Sequence, residues 1–380
     1  MIYFALFICV LYGTLILSFV KGFDQLEPHA AEKEEYHTLF SILIPFRNEA
    51  PNLPHLLNSL DALDYPKNKM EIILINDHST DDFEQIIDGI KQHHKDLNIS
   101  LIHNAPVGTS PKKEAIELGV SVASNPWIIT TDADCIFPKN WLKAFDGFIV
   151  AHAPKMIVAP VTYFPGKRFL DTFQLLDFIS LQGSTIGSFG WKGKGSSRPF
   201  LCNGANLCYE KKAFLDLDGF KGNKNIASGD DIFLLEKMYD AFPGKVQFIK
   251  SKEAIVRTSA QETLKGLLQQ RVRWAAKASS YHHYFGKLVG LVVFSTNALL
   301  IILLILSLLN SFSWSYFGLI FLLKFNIDFI LLYKTATFFD QKEVLSSYFL
   351  SSLVYPFFTV YVGLLSFKKS YTWKGRSFQK

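Results

Sequence analysis

Several short stretches of this chain place side chains where they could do chemistry. Asp132 and Asp134 stand one residue apart at the end of an apolar run. Two carboxylates at a strand end offer oxygen ligands to a hard divalent cation and leave room for phosphate oxygens. The same pattern also makes a solvated turn or a helix cap. Asp230 and Asp231 precede the apolar run IFLL. Such a pair either caps a helix and favours its dipole, or holds one carboxylate beside a substrate, where crowding by other acids suits it to general-base work. Gln270, Arg273 and Trp274 follow in the order Gln-x-x-Arg-Trp. The guanidinium fork can grip phosphate oxygens in pairs. An Arg-x-Arg-Trp run also anchors proteins at lipid headgroups, and this one lies about 14 residues before an apolar stretch. Asn203-Gly204-Ala205-Asn206 reads equally as a tight turn or as the lining of a polar pocket.

These groups need elements to hold them. TLFSILIPF (38–46), MEIILIND (70–77), NISLIHNA (98–105), NPWIITTDAD (125–134) and MIVAPV (156–161) are apolar, β-rich runs. Helical patterns lie between them: PNLPHLLNSLDAL, DDFEQIIDGIKQHH, KKEAIELGVSVAS and KNWLKAFDGFI. Strand–helix alternation with fully apolar strands predicts an α/β domain, a mostly parallel sheet with helices on both faces. Sheets of this kind bind ligands at the carboxyl ends of their strands. The first, second and fourth strands end in Pro45–Glu49, Asn76–Asp81 and Thr131–Asp134. The polar clusters therefore gather at that edge.

Of 380 residues, 49% are hydrophobic and 19% charged, and the mean hydropathy is +0.17. This excludes a disordered chain and points to a membrane protein. Thirty-nine basic against 34 acidic residues leave +5, too mild a charge for a nucleic-acid binder. Cys9, Cys135, Cys202 and Cys208 form no C-x-x-C pair and read as small reduced hydrophobes. Residues 1–20 carry no charge, are long enough to span a bilayer and have neither a basic leader nor a cleavage site. They predict an uncleaved anchor. The expected division is an anchor at 1–21, a cytoplasmic catalytic domain at 38–285, a membrane region of two to three segments at 286–367, and a basic tail at 368–380. Three apolar segments follow the domain: 288–309, 313–333 with Lys324 and Asp328, and 344–367 with Pro356. If all three crossed, the basic tail would end outside, against the positive-inside rule. One of the last two is therefore expected to be re-entrant or interfacial.

The order and spacing resemble the family 2 glycosyltransferases, the inverting type built on the GT-A fold. The matching pieces are IPFRNE (44–49), INDHSTD (75–81), TDAD (131–134), CNGANLCYEKKAF (202–214), SGDD (228–231) and Gln270-x-x-Arg273-Trp274. The anchor and spans are similar to those of membrane-bound members that act on lipids or build polysaccharides for the cell envelope. The resemblance is closest to ceramide-glucosyltransferase-like enzymes, whose tails carry Trp-x-Gly-Arg, here Trp373-Lys374-Gly375-Arg376. Two departures stand out. Asn76 precedes Asp77 where such proteins often have Asp-Asp, and Asp230-Asp231 replaces Glu-Asp.

The resemblance implies a nucleotide-diphosphate sugar as donor, UDP by family habit, and Mg²⁺ or Mn²⁺ as cofactor. It implies a nucleoside pocket from Pro45, Glu49 and Asp77, with Arg47 and Lys112 near the nucleotide. Asp132 would touch ribose or metal and Asp134 would ligate the metal. Asp231 would be the base. Gln270, Arg273 and Trp274 would close over acceptor and diphosphate, and Asn203, Gly204, Asn206 and Asp230 would face the acceptor. The acceptor is expected to be a lipid or lipid-linked hydroxyl in a bacterial inner membrane. A processive polysaccharide synthase, with a helper subunit, is the alternative; an inactive nucleotide-sugar-binding scaffold is the second. FQLLDFISLQG (173–183) reads as a surface helix guiding lipid or as a core helix. Lys192, Lys194 and Arg198 read as a lid or a linker.

Overall fold

A computed structural model of the chain describes residues 1–30, 36–104, 110–191, 199–223, 229–278, 281–367, 370–373 and 376–379. Lys192, Lys194, Arg198, Ser228, Lys374 and Gly375 lie outside the described residues. In chain order, α1 (Ile2–Gln25) precedes β1 (Phe40–Phe46), α2 (Leu53–Asp61), β2 (Met70–Asn76), α3 (Phe83–His93) and β3 (Ile99–His103). Next come α4 (Pro111–Val122), β4 (Trp127–Thr130), α5 (Trp141–His152), β5 (Met156–Val158), β6 (Val161–Tyr163) and α6 (Phe169–Gly190). They are followed by β7 (Leu207–Glu210), α7 (Lys211–Asp216), α8 (Asp230–Ala241), β8 (Val246–Phe248) and β9 (Val256–Thr258). The last are α9 (Leu264–Ala278), α10 (Tyr284–Leu308), α11 (Trp314–Phe338), α12 (Tyr348–Ser366), β10 (Ser370–Trp373) and β11 (Arg376–Gln379).

The chain divides into two compact units. Glu27–Phe164 with Cys202–Ser259 form the sheet unit. Among the described residues, seven of its strands form one sheet in the order β3-β2-β1-β4-β7-β5-β8. Ile42, Leu43, Ile44, Ile72, Leu74, Ile128 and Ile129 are fully buried, as strands covered on both faces require. Asp146 on α5 accepts hydrogen bonds from the backbone N–H groups of His37 and Thr38 and so pins the chain where it enters β1.

β7 runs antiparallel to β4 and β5, which leaves the sheet mostly parallel, as the sequence predicts. One feature differs from the sequence expectation: the run MIVAPV does not form one strand. It breaks after Val158, and β6 pairs instead with β9. Pro160 has no N–H to continue a ladder, and its carbonyl is taken by the side chain of Asn206.

The helical unit comprises Met1–Leu26, Pro165–Leu201 and Ala260–Lys380. The described residues of 165–191 and 260–278, which lie within the 38–285 expected to be one domain, thus group with the apolar helices. Among the described residues, four helices are long and apolar enough to cross a membrane: Ile2–Gln25, Tyr284–Leu308, Trp314–Phe338 and Lys342–Ser366. The two charges in the middle of α11 answer each other, Lys324 Nζ lying 2.6 Å from Asp328, and Tyr12 of α1 donates to the same carboxylate at 2.6 Å. Paired charge is the form in which a lipid-embedded helix tolerates it. α6 packs against α1 and α11. A Cβ on Gly187 would stand 2.4 Å from Phe19 O, and one on Gly190 1.9 Å from Gly22 O. Only glycine lets the two backbones meet so closely.

Candidate active site

Parallel pairing aligns the ends of β1, β2 and β4: Phe46 lies opposite Asn76, and Leu43 opposite Thr130. The loops after β1 and β2 are laced together. Arg47 donates to Asp77 O at 3.1 Å. Asn48, at φ 53°, donates its N–H to Ser79 Oγ and accepts the Thr80 N–H at 2.8 Å. The Ala50 N–H donates to Asp81 at 2.7 Å. Asn76 takes part in this lacing: its oxygen accepts the Ser79 N–H at 2.8 Å, and its amide nitrogen faces His103 Nδ1 at 3.1 Å. An Asp here could make the second contact only with the Nδ1–H tautomer of His103. Asp77 is buried and accepts from the Asn104 amide at 3.3 Å. Pro45 is half-buried in β1, and Glu49 accepts from Asn52 at 2.6 Å.

The carboxylates after β4 face a lysine. Lys112, at the start of α4, donates to Asp132 at 2.8 Å and stands 3.4 Å from Asp230. Burial alone would lower its ammonium, but Asp132 and Asp230 outweigh that and hold it above the ordinary lysine value. Asp134 accepts from the Thr258 hydroxyl at 2.9 Å. Burial, then the charge of Asp132, push its carboxyl up to about 6. A carboxyl held this way favours added positive charge. Among the described residues no group of three or more His, Cys, Asp or Glu side chains is poised to hold an ion. Asp132 and Asp134 supply two carboxylates. That fits Mg²⁺ or Mn²⁺, which are commonly held by one or two carboxylates and completed by substrate phosphates.

α8 starts with Asp230 directly after Gly229, whose φ of 89° is a left-handed conformation suited to glycine. The Ile232 N–H donates to Asp231 at 2.8 Å. A Cβ on Gly204 would lie 3.2 Å from Asp230 Oδ2, 3.4 Å from Lys112 Nζ and 3.6 Å from Asp231 Cβ. Gly204 therefore meets the acid pair and the lysine together. Asn203 closes the turn by accepting the Ala205 N–H at 3.0 Å.

Asn206 is placed differently from expectation. It is fully buried. Its oxygen accepts from Trp141 Nε1 at 3.1 Å, and its amide donates to Pro160 O and Ala254 O at 2.8 Å each. It pins the sheet unit and has no hydrogen left for an acceptor. Sequence reasoning missed Thr258 and Asn104, because neither belongs to a motif and each is brought in by a separate strand end.

Gln270, Arg273 and Trp274 lie on α9 in the helical unit, all half-buried. The Trp274 ring centre is 4.2 Å from the guanidinium carbon of Arg271 and 6.1 Å from the Phe178 ring. The candidate residues thus fall into two sets: the loops after β1, β2 and β4 with the start of α8 in the sheet unit, and the Gln-x-x-Arg-Trp helix in the other.

Comparison with known proteins adds identity to geometry. The family description "Glycosyl transferase family 2" matches residues 41–208, and "Glycosyl transferase family group 2" matches residues 127–329. The chain is 26% identical over 273 residues to the poly-beta-1,6-N-acetyl-D-glucosamine synthase of Staphylococcus epidermidis, covering 69% of this chain and 60% of that one. Over 113 residues it is 28% identical to a poly(ribitol-phosphate) beta-N-acetylglucosaminyltransferase of Staphylococcus aureus, covering 30% of this chain and 19% of that one. It therefore spans at most about three fifths of these relatives' lengths. The fold is similar to that of a mannosyltransferase from Pyrobaculum calidifontis solved with GDP-Man and Mn²⁺, with TM-score 0.59, 16% identity, and 93% and 98% of the two chains covered.

Proposed function

This chain belongs to the family 2 glycosyltransferases, and on that premise we propose that it moves a sugar from a nucleotide-diphosphate sugar to the hydroxyl of a lipid or lipid-linked acceptor. The observation that carries this reading is the joining of the Asp132-x-Asp134 loop to the Asp230-Asp231 helix start through Lys112. Pro45, Arg47, Glu49, Asp77 and Lys112 bind the nucleotide. Asp132 and Asp134 would hold a divalent cation, which neutralises the charge growing on the diphosphate when bound. Asp231 takes the acceptor proton as that oxygen bonds to C1 from the face opposite the diphosphate. The C1–O bond to the diphosphate breaks in the same displacement, the nucleoside diphosphate leaves, and the anomeric centre inverts. Asn203, Gly204 and Asp230 orient the acceptor. Gln270, Arg273 and Trp274 cover acceptor and diphosphate.

Both relatives are named for N-acetylglucosamine, which makes UDP-N-acetylglucosamine the first donor to test. A processive synthase is the second reading, favoured by the synthase relative. The apolar helices support a bacterial cell membrane as the site of action.

Within the helical unit, the last apolar segment is read as lying on the membrane rather than crossing it. Lys334, near the end of α11, pairs with Asp24 at the end of α1. Both helices therefore end on one side, where the catalytic chain begins. β10 neighbours α9, which stands just before α10. The tail returns to that side only if α10 and α11 cross as a hairpin and α12 does not.

The test incubates detergent-purified protein with Mn²⁺, UDP- and GDP-sugars and a bacterial lipid extract, with Asp231→Asn as control. A lipid gaining one sugar mass supports the single-transfer reading. A ladder of sugar masses moves the assignment to the synthase. No product and no nucleotide release from any donor overturns both.

A further inference from the structure

A second polar assembly, in the helical unit, lies beside the Gln-x-x-Arg-Trp residues and is not among them. Asp177 on α6 and Arg271 on α9 are 6% and 5% exposed. Arg271 Nε donates to Asp177 Oδ2 at 2.5 Å. One turn earlier on the same face of α6, Gln174 is fully buried. Its amide donates to Gln261 O and its oxygen accepts the Gln261 N–H, both at 2.9 Å. Arg168, just before α6, donates to Glu262 O at 3.1 Å. Three side chains along one helix thus grip the segment that enters α9, and then α9 itself.

Arg271 passes this grip on. Its guanidinium lies over the Trp274 ring at 4.2 Å and also donates to the side-chain oxygen of Gln270. A planar guanidinium with one edge on a carboxylate and one face on an indole has little freedom. A charge this buried does not leave its partner without large cost. The rotamers of Gln270 and Trp274 are therefore referred, through Arg271, to a residue on another helix.

We propose that Asp177 is a positioning residue for sugar transfer: by fixing Arg271 it sets the orientation of Gln270 and Trp274. It touches neither donor nor acceptor. The proposal rests on the reading of Gln270 and Trp274 as cover for acceptor and diphosphate, so its test includes a signal independent of turnover.

The full chain, with its six tryptophans replaced by 5-fluorotryptophan, gives a ¹⁹F spectrum in detergent. The Trp274 resonance is assigned by its loss in Trp274→Phe. Asp177→Asn is expected to shift that resonance and to lower kcat about tenfold, with donor KM held within about twofold, because orientation rather than binding is lost. Asp177→Glu restores both. Arg271→Lys keeps the buried charge but loses the planar face, and reproduces the shift; it carries the test if Asp177→Asn does not fold. An unmoved Trp274 resonance in the folded variants overturns the proposal, whatever the activity. So does a loss of kcat that Asp177→Glu does not restore. If the wild-type protein transfers no sugar, the functional reading fails while the resonance still decides the orientation.

Discussion

Asp231 and Asp134 carry separable tasks, and single substitutions tell them apart. Asp231→Asn removes the base but keeps size and polarity. It is expected to cut transfer by about 10²–10⁴-fold while calorimetry finds donor affinity within about twofold of wild type. Wild-type turnover in this variant would remove Asp231 from the chemistry. Asp134→Ala works on binding. Its carboxyl is half-buried beside Asp132, so donor affinity should fall about tenfold or more in Mn²⁺ and hardly change in EDTA. Equal affinity with and without Mn²⁺ in both proteins would take Asp134 out of the cation site. Asn206→Ala belongs to another class. It strands Trp141 Nε1 and the Ala254 carbonyl in the core and takes one of two hydrogen bonds from the Pro160 carbonyl, at a cost of about 3 kcal/mol. The unfolding temperature should drop while acceptor KM in the folded fraction stays put. A raised KM with unchanged stability would return Asn206 to the acceptor pocket.

Helices and strands set where those residues stand. The apolar runs of β1 to β4 are readable because parallel strands buried on both faces have no polar positions to obscure them. β7 was not readable as a strand. Four residues within a motif that also reads as a turn carry no period, and its antiparallel direction follows from the long excursion through α6. α6 itself left two readings open, because its buried Gln174 and Asp177 are answered by Gln261 and Arg271 rather than by water. Its glycines are the sharper signal. Gly187→Leu would force a side chain into Phe19 O and is expected to separate α6 from α1, with a clear loss of thermal stability in detergent. Gly89→Ala meets nothing within 4 Å and should be neutral or slightly stabilising. Equal melting of both variants would show that the close approach does not matter.

At the scale of the molecule, hydropathy counts segments but does not choose which ones cross. The proposal that α12 does not cross starts from contacts within the helical unit, Lys334 on Asp24 and β10 beside α9. Single cysteines at Ser311, between α10 and α11, and at Ser370, in β10, check this in right-side-out and inverted vesicles. A membrane-impermeant maleimide should label the two from opposite faces, with position 370 on the face that labels Lys139→Cys in the sheet unit. Labelling of 311 and 370 from the same face would make α12 a true span.

Taken alone, the amino-acid sequence determined the α/β alternation, the order of the polar clusters along one sheet edge, the family, and the presence of apolar segments. Each of these is written in local periodicity or in the spacing of a motif, and needs no knowledge of distant neighbours. Tertiary structure decided who meets whom. Lys112 reaches Asp230 across 118 positions, Asn206 spends its amide on Pro160 and Ala254, and Arg271 finds Asp177 at a separation of 94. Burial makes such pairs obligatory, because a charge or amide withdrawn from water must be answered. Nothing in the residues nearby says which partner will answer it.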